Sequence, residues 1–265
     1  MSANLFKTWL QQRPKQPPLG SWVMSGSPTV AEAMGQCGFD FLVVDMEHSP
    51  IDIADAVALL RAIAGTPAQP LVRLAWNDPV MVKKVLDAGA RSLMFPFIQT
   101  AEEARAAVSY TRYPPEGVRG VAGIHRASRY GRTNDYFKTA NNDIAVVLQL
   151  ETPEAIERLP EIAAVPGVDA LFVGPGDLSA AMGRIGEIGH PEVQTLLAKA
   201  AHAAHAAGKP VGIVGGNPDM LGRFLGYGYD WVAVASDMAL MTGRAVDWVT
   251  ALKGRGITPT TGPAY

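Results

Sequence analysis

The sequence predicts a (β/α)8 TIM barrel, and three observations predict it. Short β-rich apolar runs alternate with longer amphipathic ones, the alternation repeats eight times within 265 residues, and no linker rich in Pro, Gly or Ser divides the chain. A doubly wound sheet more usually carries about five to seven strands. The apolar share of 48% is enough for one sizeable core. A single catalytic domain over residues 1–253 follows, with the Gly-, Pro- and Thr-rich segment 254–265 as a flexible or partner-embracing tail.

The predicted strands are residues 20–24, 39–46, 70–75, 92–96, 144–150, 170–173, 211–214 and 231–235. Helices are predicted at 29–36, 53–64, 79–88, 101–110, 153–163, 192–207, 218–226 and 238–252. Ser27-Pro28, Asn77-Asp78-Pro79, Thr152-Pro153-Glu154 and Asn217-Pro218 supply capping side chains or a first-turn proline. Gly89 and Gly208 close two helices. The one long irregular segment, 111–142, follows a helix and precedes a strand, which places it at the barrel bottom. Its Arg119, Arg126, Arg129 and Arg132 are expected to pack against a neighbouring subunit, the alternative being a substrate carboxylate.

The formal net charge of -2, without a dense basic run, argues against nucleic acid and an anionic membrane surface as partners. No apolar run approaches the roughly 20 residues of a membrane span, and the N-terminus lacks a signal pattern. The single cysteine, Cys37, excludes an internal disulfide and fits a reducing cytoplasm. It reads as a small apolar helix residue.

In such a barrel the strand C-termini open on one face, so the chemistry at each tip converges. The second strand ends in Asp45, Glu47 and His48, the third in Arg73, the fifth in Gln149 and Glu151, and the sixth in Gly174-Pro175-Gly176-Asp177. Glu151 and Asp177, on adjacent strands, are placed to share one divalent cation, and oxygen-only ligation suits Mg²⁺ or Mn²⁺. The plain alternative is that both cap helices. Such a cation would chelate a 2-oxo acid and stabilise an enolate as a Lewis acid. Arg73 is a candidate donor to the keto oxygen, or a structural ion-pair partner of Asp45 or Glu47. His48 is the candidate general base or acid, since an imidazole side chain suits proton transfer near neutrality. No lysine falls on a strand facing the pocket: Lys83, Lys84 and Lys199 are helical, Lys138 lies in the long segment and Lys209 precedes its strand, which argues against imine chemistry. Gly215-Gly216-Asn217 reads as a plain turn, and His202 and His205 as solvent-facing.

The motifs Val44-Asp45-Met46-Glu47-His48, Pro96-Phe97-Ile98-Gln99-Thr100-Ala101-Glu102-Glu103-Ala104, Gly117-Val118-Arg119-Gly120, Gln149-Leu150-Glu151-Thr152 and Val173-Gly174-Pro175-Gly176-Asp177-Leu178-Ser179, in this order, span most of the chain. As a set they resemble the class II pyruvate aldolases, the family of the 4-hydroxy-2-oxoheptanedioate and 2-dehydro-3-deoxyglucarate aldolases. The resemblance implies His48 as proton acceptor, Arg73 as transition-state stabiliser, Glu151 and Asp177 as ligands of Mg²⁺, Mn²⁺ or Co²⁺, and no organic cofactor. It implies a grip on the pyruvoyl end by Gln149 and the backbone N–H groups of Gly176 and Asp177, with Trp22 and Val214 as pocket walls. It further implies a homohexamer, a trimer of dimers with exchanged C-terminal helices. The family pairs its histidine with an aspartate matching Asp87, which at the barrel bottom reaches a His48 only from a neighbouring subunit; Asp45 is the in-chain alternative, and Glu47 a supporting acid. Gly176 departs from the alanine common in relatives. The implied reaction is reversible cleavage of 4-hydroxy-2-oxo acids to pyruvate, or hydroxypyruvate, and an aldehyde. The rival readings are a lyase of acyl-CoA thioesters of the malyl-CoA type, for which no basic adenine-accepting surface is evident, and a non-catalytic barrel that binds 2-oxo acids.

Overall fold

A computed structural model describes residues 3–254. Eight strands, β1 Leu19–Val23, β2 Phe41–Asp45, β3 Gln69–Arg73, β4 Ser92–Phe95, β5 Ala145–Leu150, β6 Ala170–Val173, β7 Val211–Gly215 and β8 Trp231–Ser236, pair in parallel and in chain order into a closed barrel. Each is at or within a few residues of its predicted span. The helices are α1 Leu5–Gln12, α2 Pro28–Gly35, α3 Ile53–Ile63, α4 Pro79–Asp87, α5 Ala101–Thr111, α6 Tyr136–Asp143, α7 Pro153–Glu157, α8 Leu159–Ala163, α9 Pro175–Ala181, α10 Pro191–Ala206, α11 Pro218–Gly226 and α12 Asp237–Lys253. The start signals act as expected: Ser27, Asp78, Thr152 and Asn217 each accept from a backbone N–H of the first helical turn. Asn217 thus makes the Gly215-Gly216-Asn217 stretch a turn and cap.

Alternation along the strands sorts the side chains into two sets. Val44, Val72, Leu93, Leu148 and Val173 point outward beneath the helices, while Val43, Leu71, Met94, Val147, Phe172 and Ala233 fill the barrel interior. The lower interior is aromatic, and two glycines make room for it. A Cβ on Gly20 would lie 2.3 Å from the Phe41 ring, and one on Gly212 2.3 Å from the Trp231 ring. Phe6 of α1 closes the floor, meeting Phe41 at 5.4 Å and Trp231 at 5.5 Å between ring centroids.

Four helical features depart from expectation. The plug α1 was not predicted; its N-cap Asn4 bonds the carbonyls of Arg91 and Asp143 and the Ser92 hydroxyl. The predicted helix 153–163 is two short helices, because Pro160 lacks the N–H a continuous helix needs. α9 forms directly after β6, and α6 forms inside the supposed irregular segment. That segment packs on its own barrel: Arg119 ion-pairs with Asp87 at 2.7 Å, and Arg126 donates to the carbonyls of Ala88 and Leu60 at the ends of α4 and α3. Both arginines thus have partners on their own chain. His202 and His205 are exposed, and His205 meets Asp230 at 3.0 Å. Cys37 is exposed, with its thiol donating to the Ala33 carbonyl. Among the described residues no helix is long and apolar enough to cross a membrane. The tail expected at 254–265 lies, beyond the helix-capping Gly254, outside the described residues.

Candidate active site

The C-terminal ends of β2, β3, β5 and β6 carry the ionisable groups, and strand register arranges them. Asp45 and Arg73 stand opposite one another across the β2–β3 ladder. Their side chains form a bidentate pair, Arg73 Nε to Asp45 Oδ1 at 2.8 Å and Nη2 to Oδ2 at 2.7 Å, and both are fully buried. Beneath the guanidinium lies the Trp22 ring, its centroid 4.2 Å from Arg73 Cζ. A buried arginine fixed on one edge by a carboxylate and on one face by an indole is a preorganised positive charge. Asp45 also accepts the backbone N–H groups of Glu47 and His48, at 3.1 and 3.4 Å. It therefore holds Arg73 and shapes the turn.

Glu47 meets Arg73 Nη1 at 3.0 Å through an Oε2 that has no hydrogen-bonding geometry to any donor. The same oxygen lies 3.8 Å from His48 Nε2, and the His48 side chain is about half exposed at 48%. Burial pushes the Glu47 carboxyl up to about 8; Arg73 pulls it down, while Glu151, Asp45 and Asp177 raise it further.

Glu151, 1% exposed, follows β5. Its Oε2 accepts from Gln149 Nε2 at 2.6 Å and its Oε1 from the Phe97 backbone N–H at 2.8 Å. Burial raises its carboxyl to about 7, with the Asp177 charge adding and the Gln149 and Phe97 donors opposing. Asp177 lies half-buried in the first turn of α9, beside Gly176. Glu47, Glu151 and Asp177 are thus three carboxylates within electrostatic reach, and the Asp177 charge adds to the burial that raises Glu47 and Glu151. Of these, the Glu151 and Asp177 pair fits a divalent cation, which would relieve the mutual repulsion. Two local features support that fit. Gly174 leaves the space for Glu151, since a Cβ there would fall 2.5 Å from Oε2, and the buried Gln149 Oε1 has no hydrogen-bond partner among the described residues. Among the described residues no three His, Cys, Asp or Glu side chains form a closed ligand set. Two carboxylates with the remaining positions left to substrate and solvent oxygens is the arrangement Mg²⁺-type sites use.

Sequence reading located Asp45, Glu47, His48, Arg73, Gln149, Glu151, Gly176 and Asp177, and the structure brings them to one face. Trp22 and Val214, the expected pocket walls, are buried in the barrel interior, 0% and 1% exposed. Asp87 is not brought to that face. It ends α4 at the opposite end of the barrel, paired with Arg119, with His125 at 3.7 Å. Two contributors were missed. Gly174 was visible as Gly-Pro punctuation, whereas the Phe97 N–H carries no signal, because it reaches Glu151 through a left-handed backbone, φ 52°, that the residue type does not announce.

Comparison with known proteins agrees with this geometry. The profile described as HpcH/HpaI aldolase/citrate lyase matches residues 19–243. The 2-dehydro-3,6-dideoxy-6-sulfogluconate aldolase of Pseudomonas putida is 52% identical over 94% of this chain and 97% of its own. The 4-hydroxy-2-oxo-heptane-1,7-dioate aldolase of Klebsiella pneumoniae is 44% identical, covering 97% of each chain. Among solved structures, an HpcH/HpaI aldolase/citrate lyase family protein from Burkholderia cenocepacia superposes with a TM-score of 0.91 at 41% identity, over 94% of this chain and 99% of that one. The chain belongs to the HpcH/HpaI aldolase/citrate lyase family.

Proposed function

We propose that the chain is a divalent-metal-dependent aldolase that reversibly cleaves 4-hydroxy-2-oxo acids to pyruvate, or hydroxypyruvate, and an aldehyde. The observation that carries the reading is the gathering of Glu47, Glu151 and Asp177 beside an arginine locked by Asp45. A cation of the Mg²⁺, Mn²⁺ or Co²⁺ kind, held by Glu151 and Asp177, would supply Lewis acidity at the 2-oxo group. Gln149 and the backbone N–H groups of Gly176 and Asp177 grip the pyruvoyl end. His48 accepts the proton of the 4-hydroxyl, with Glu47, 3.8 Å from its ring, as the acid behind it. The C3–C4 bond then breaks, its electron pair passing to the pyruvoyl fragment as an enolate while C4 leaves as the aldehyde. Arg73 donates to the enolate oxygen as it gains charge, and C3 takes up a proton to complete pyruvate.

The assembly reading belongs here too. In one chain α12 buries only Asp237, and Met238, Leu240, Met241, Trp248 and Leu252 are exposed along it. An apolar helix so placed supports exchange of α12 between subunits of a hexamer, a trimer of dimers. Asp87 then belongs to the proton machinery only if a second copy presents it to His48. A single cysteine supports a cytoplasmic setting.

The test is aldehyde-dependent pyruvate consumption before and after EDTA. Activity should disappear on chelation and return with Mg²⁺ or Mn²⁺; full activity in the chelated protein overturns the reading.

A further inference from the structure

Two large aromatic residues stand exposed on the catalytic face itself, Trp76 just beyond β3 and Phe97 just beyond β4, 55% and 42% accessible. They are stacked, ring centroids 6.0 Å apart and 27° between planes. Most other large apolar side chains that are as exposed lie on α12 or on the segment between α5 and α6. Both rings have stiff mounts. Phe97 has a left-handed backbone, disfavoured for an aromatic residue, and is held in it by its N–H to Glu151 Oε1 and by the next N–H, of Ile98, to the Gln149 carbonyl. The Trp76 carbonyl accepts the Asp78 N–H, and Asp78 caps α4. The backbone of Phe97 therefore touches the carboxylate assigned to the cation while its ring stands at the rim.

We propose that the Trp76–Phe97 stack is the wall along which the chain of the acceptor aldehyde lies, so that the pair selects aldehydes with three or more carbons over two-carbon ones. This rests on the aldolase reading. With the pyruvoyl end at Gln149, Glu151 and Asp177, the new C3–C4 bond must form beside that cluster, and an acceptor chain leaving it over the β3 and β4 tips runs across the two rings. A C–H-rich chain gains by covering them, whereas a two-carbon aldehyde ends before reaching them. Added methylenes against apolar surface discriminate by about tenfold or more.

The experiment compares kcat/KM for pyruvate addition to succinic semialdehyde, four carbons, and to glycolaldehyde, two carbons, in the wild type, Trp76→Ala, Trp76→Phe and Phe97→Leu. The ratio should fall at least tenfold in Trp76→Ala and in Phe97→Leu, and Trp76→Phe should restore most of it. Ratios within twofold of wild type in both truncations overturn the proposal, as does a change of oligomer mass in Trp76→Ala with the ratio unmoved, which would make the pair an interface patch. Wild-type exchange of the pyruvate methyl protons with solvent needs no acceptor. If it is absent, the aldolase reading fails; if present with an unmoved ratio, only the wall fails.

Discussion

Arg73 and Asp45 illustrate how much one buried pair decides. Because both are fully buried, removing Arg73 leaves the Asp45 charge without its bidentate partner, which costs roughly 3–5 kcal/mol. Arg73→Lys keeps the charge but loses the two-pronged geometry, so kcat should fall about 100-fold or more, with the loss appearing in kcat rather than in KM; an unchanged kcat would remove Arg73 from the chemistry. Gly174→Ala tests the cradle of Glu151. Its Cβ would need to occupy a point 2.5 Å from Oε2, so Mn²⁺ affinity by calorimetry should weaken about tenfold or more. The raised carboxyls give a pH signature whose sign is fixed. Glu47 and Glu151 titrate at about 8 and 7 in the folded chain, against 4.5 ordinarily, so above about pH 4.5 the unfolded state sheds protons that the folded state keeps. The metal-free protein should lose stability from about pH 4.5 up to about pH 8, and saturating Mg²⁺ should flatten that decline in thermal melts. Residue types at the strand tips made most of this cluster legible in the sequence. What they left open was its pairing: Asp45 and Glu47 were both candidates for Arg73, and the β2–β3 register, which no local pattern encodes, sets Asp45 directly opposite it.

At the scale of elements, the strands were legible because buried parallel strands are short apolar runs, and α2, α4, α7 and α11 because their caps are written as Ser, Thr, Asp or Asn before proline. The misses have physical reasons. α1 has only two buried residues, Phe6 and Leu10, too few to set a period, and its role as a plug depends on where the barrel floor closes. α9 is a turn by composition and a helix by position. α1 also yields a stability prediction. Asn4 ties three partners from two segments at the barrel floor, so Asn4→Ala should cost about 1–3 kcal/mol in urea unfolding while leaving the pyruvate kinetics unchanged.

For the whole molecule, the acidic rim and its buried arginine sit at the open face of the barrel, while α12 leaves Met241, Trp248 and Leu252 exposed. The proposed assembly and a role for Asp87 were not legible from one chain's residues by physics alone, because both would depend on surfaces that meet only between copies. The central claim is that Glu151 and Asp177 hold a divalent cation on which enolate formation depends. The most direct measurement is deuterium uptake into the pyruvate methyl group followed by NMR, with no aldehyde present, for the Mn²⁺-loaded and chelated wild type and for Glu151→Gln. The account predicts exchange in the loaded enzyme, its loss on chelation, and its near-absence in Glu151→Gln even with added Mn²⁺; exchange that persists undiminished in the chelated protein or in Glu151→Gln would contradict it.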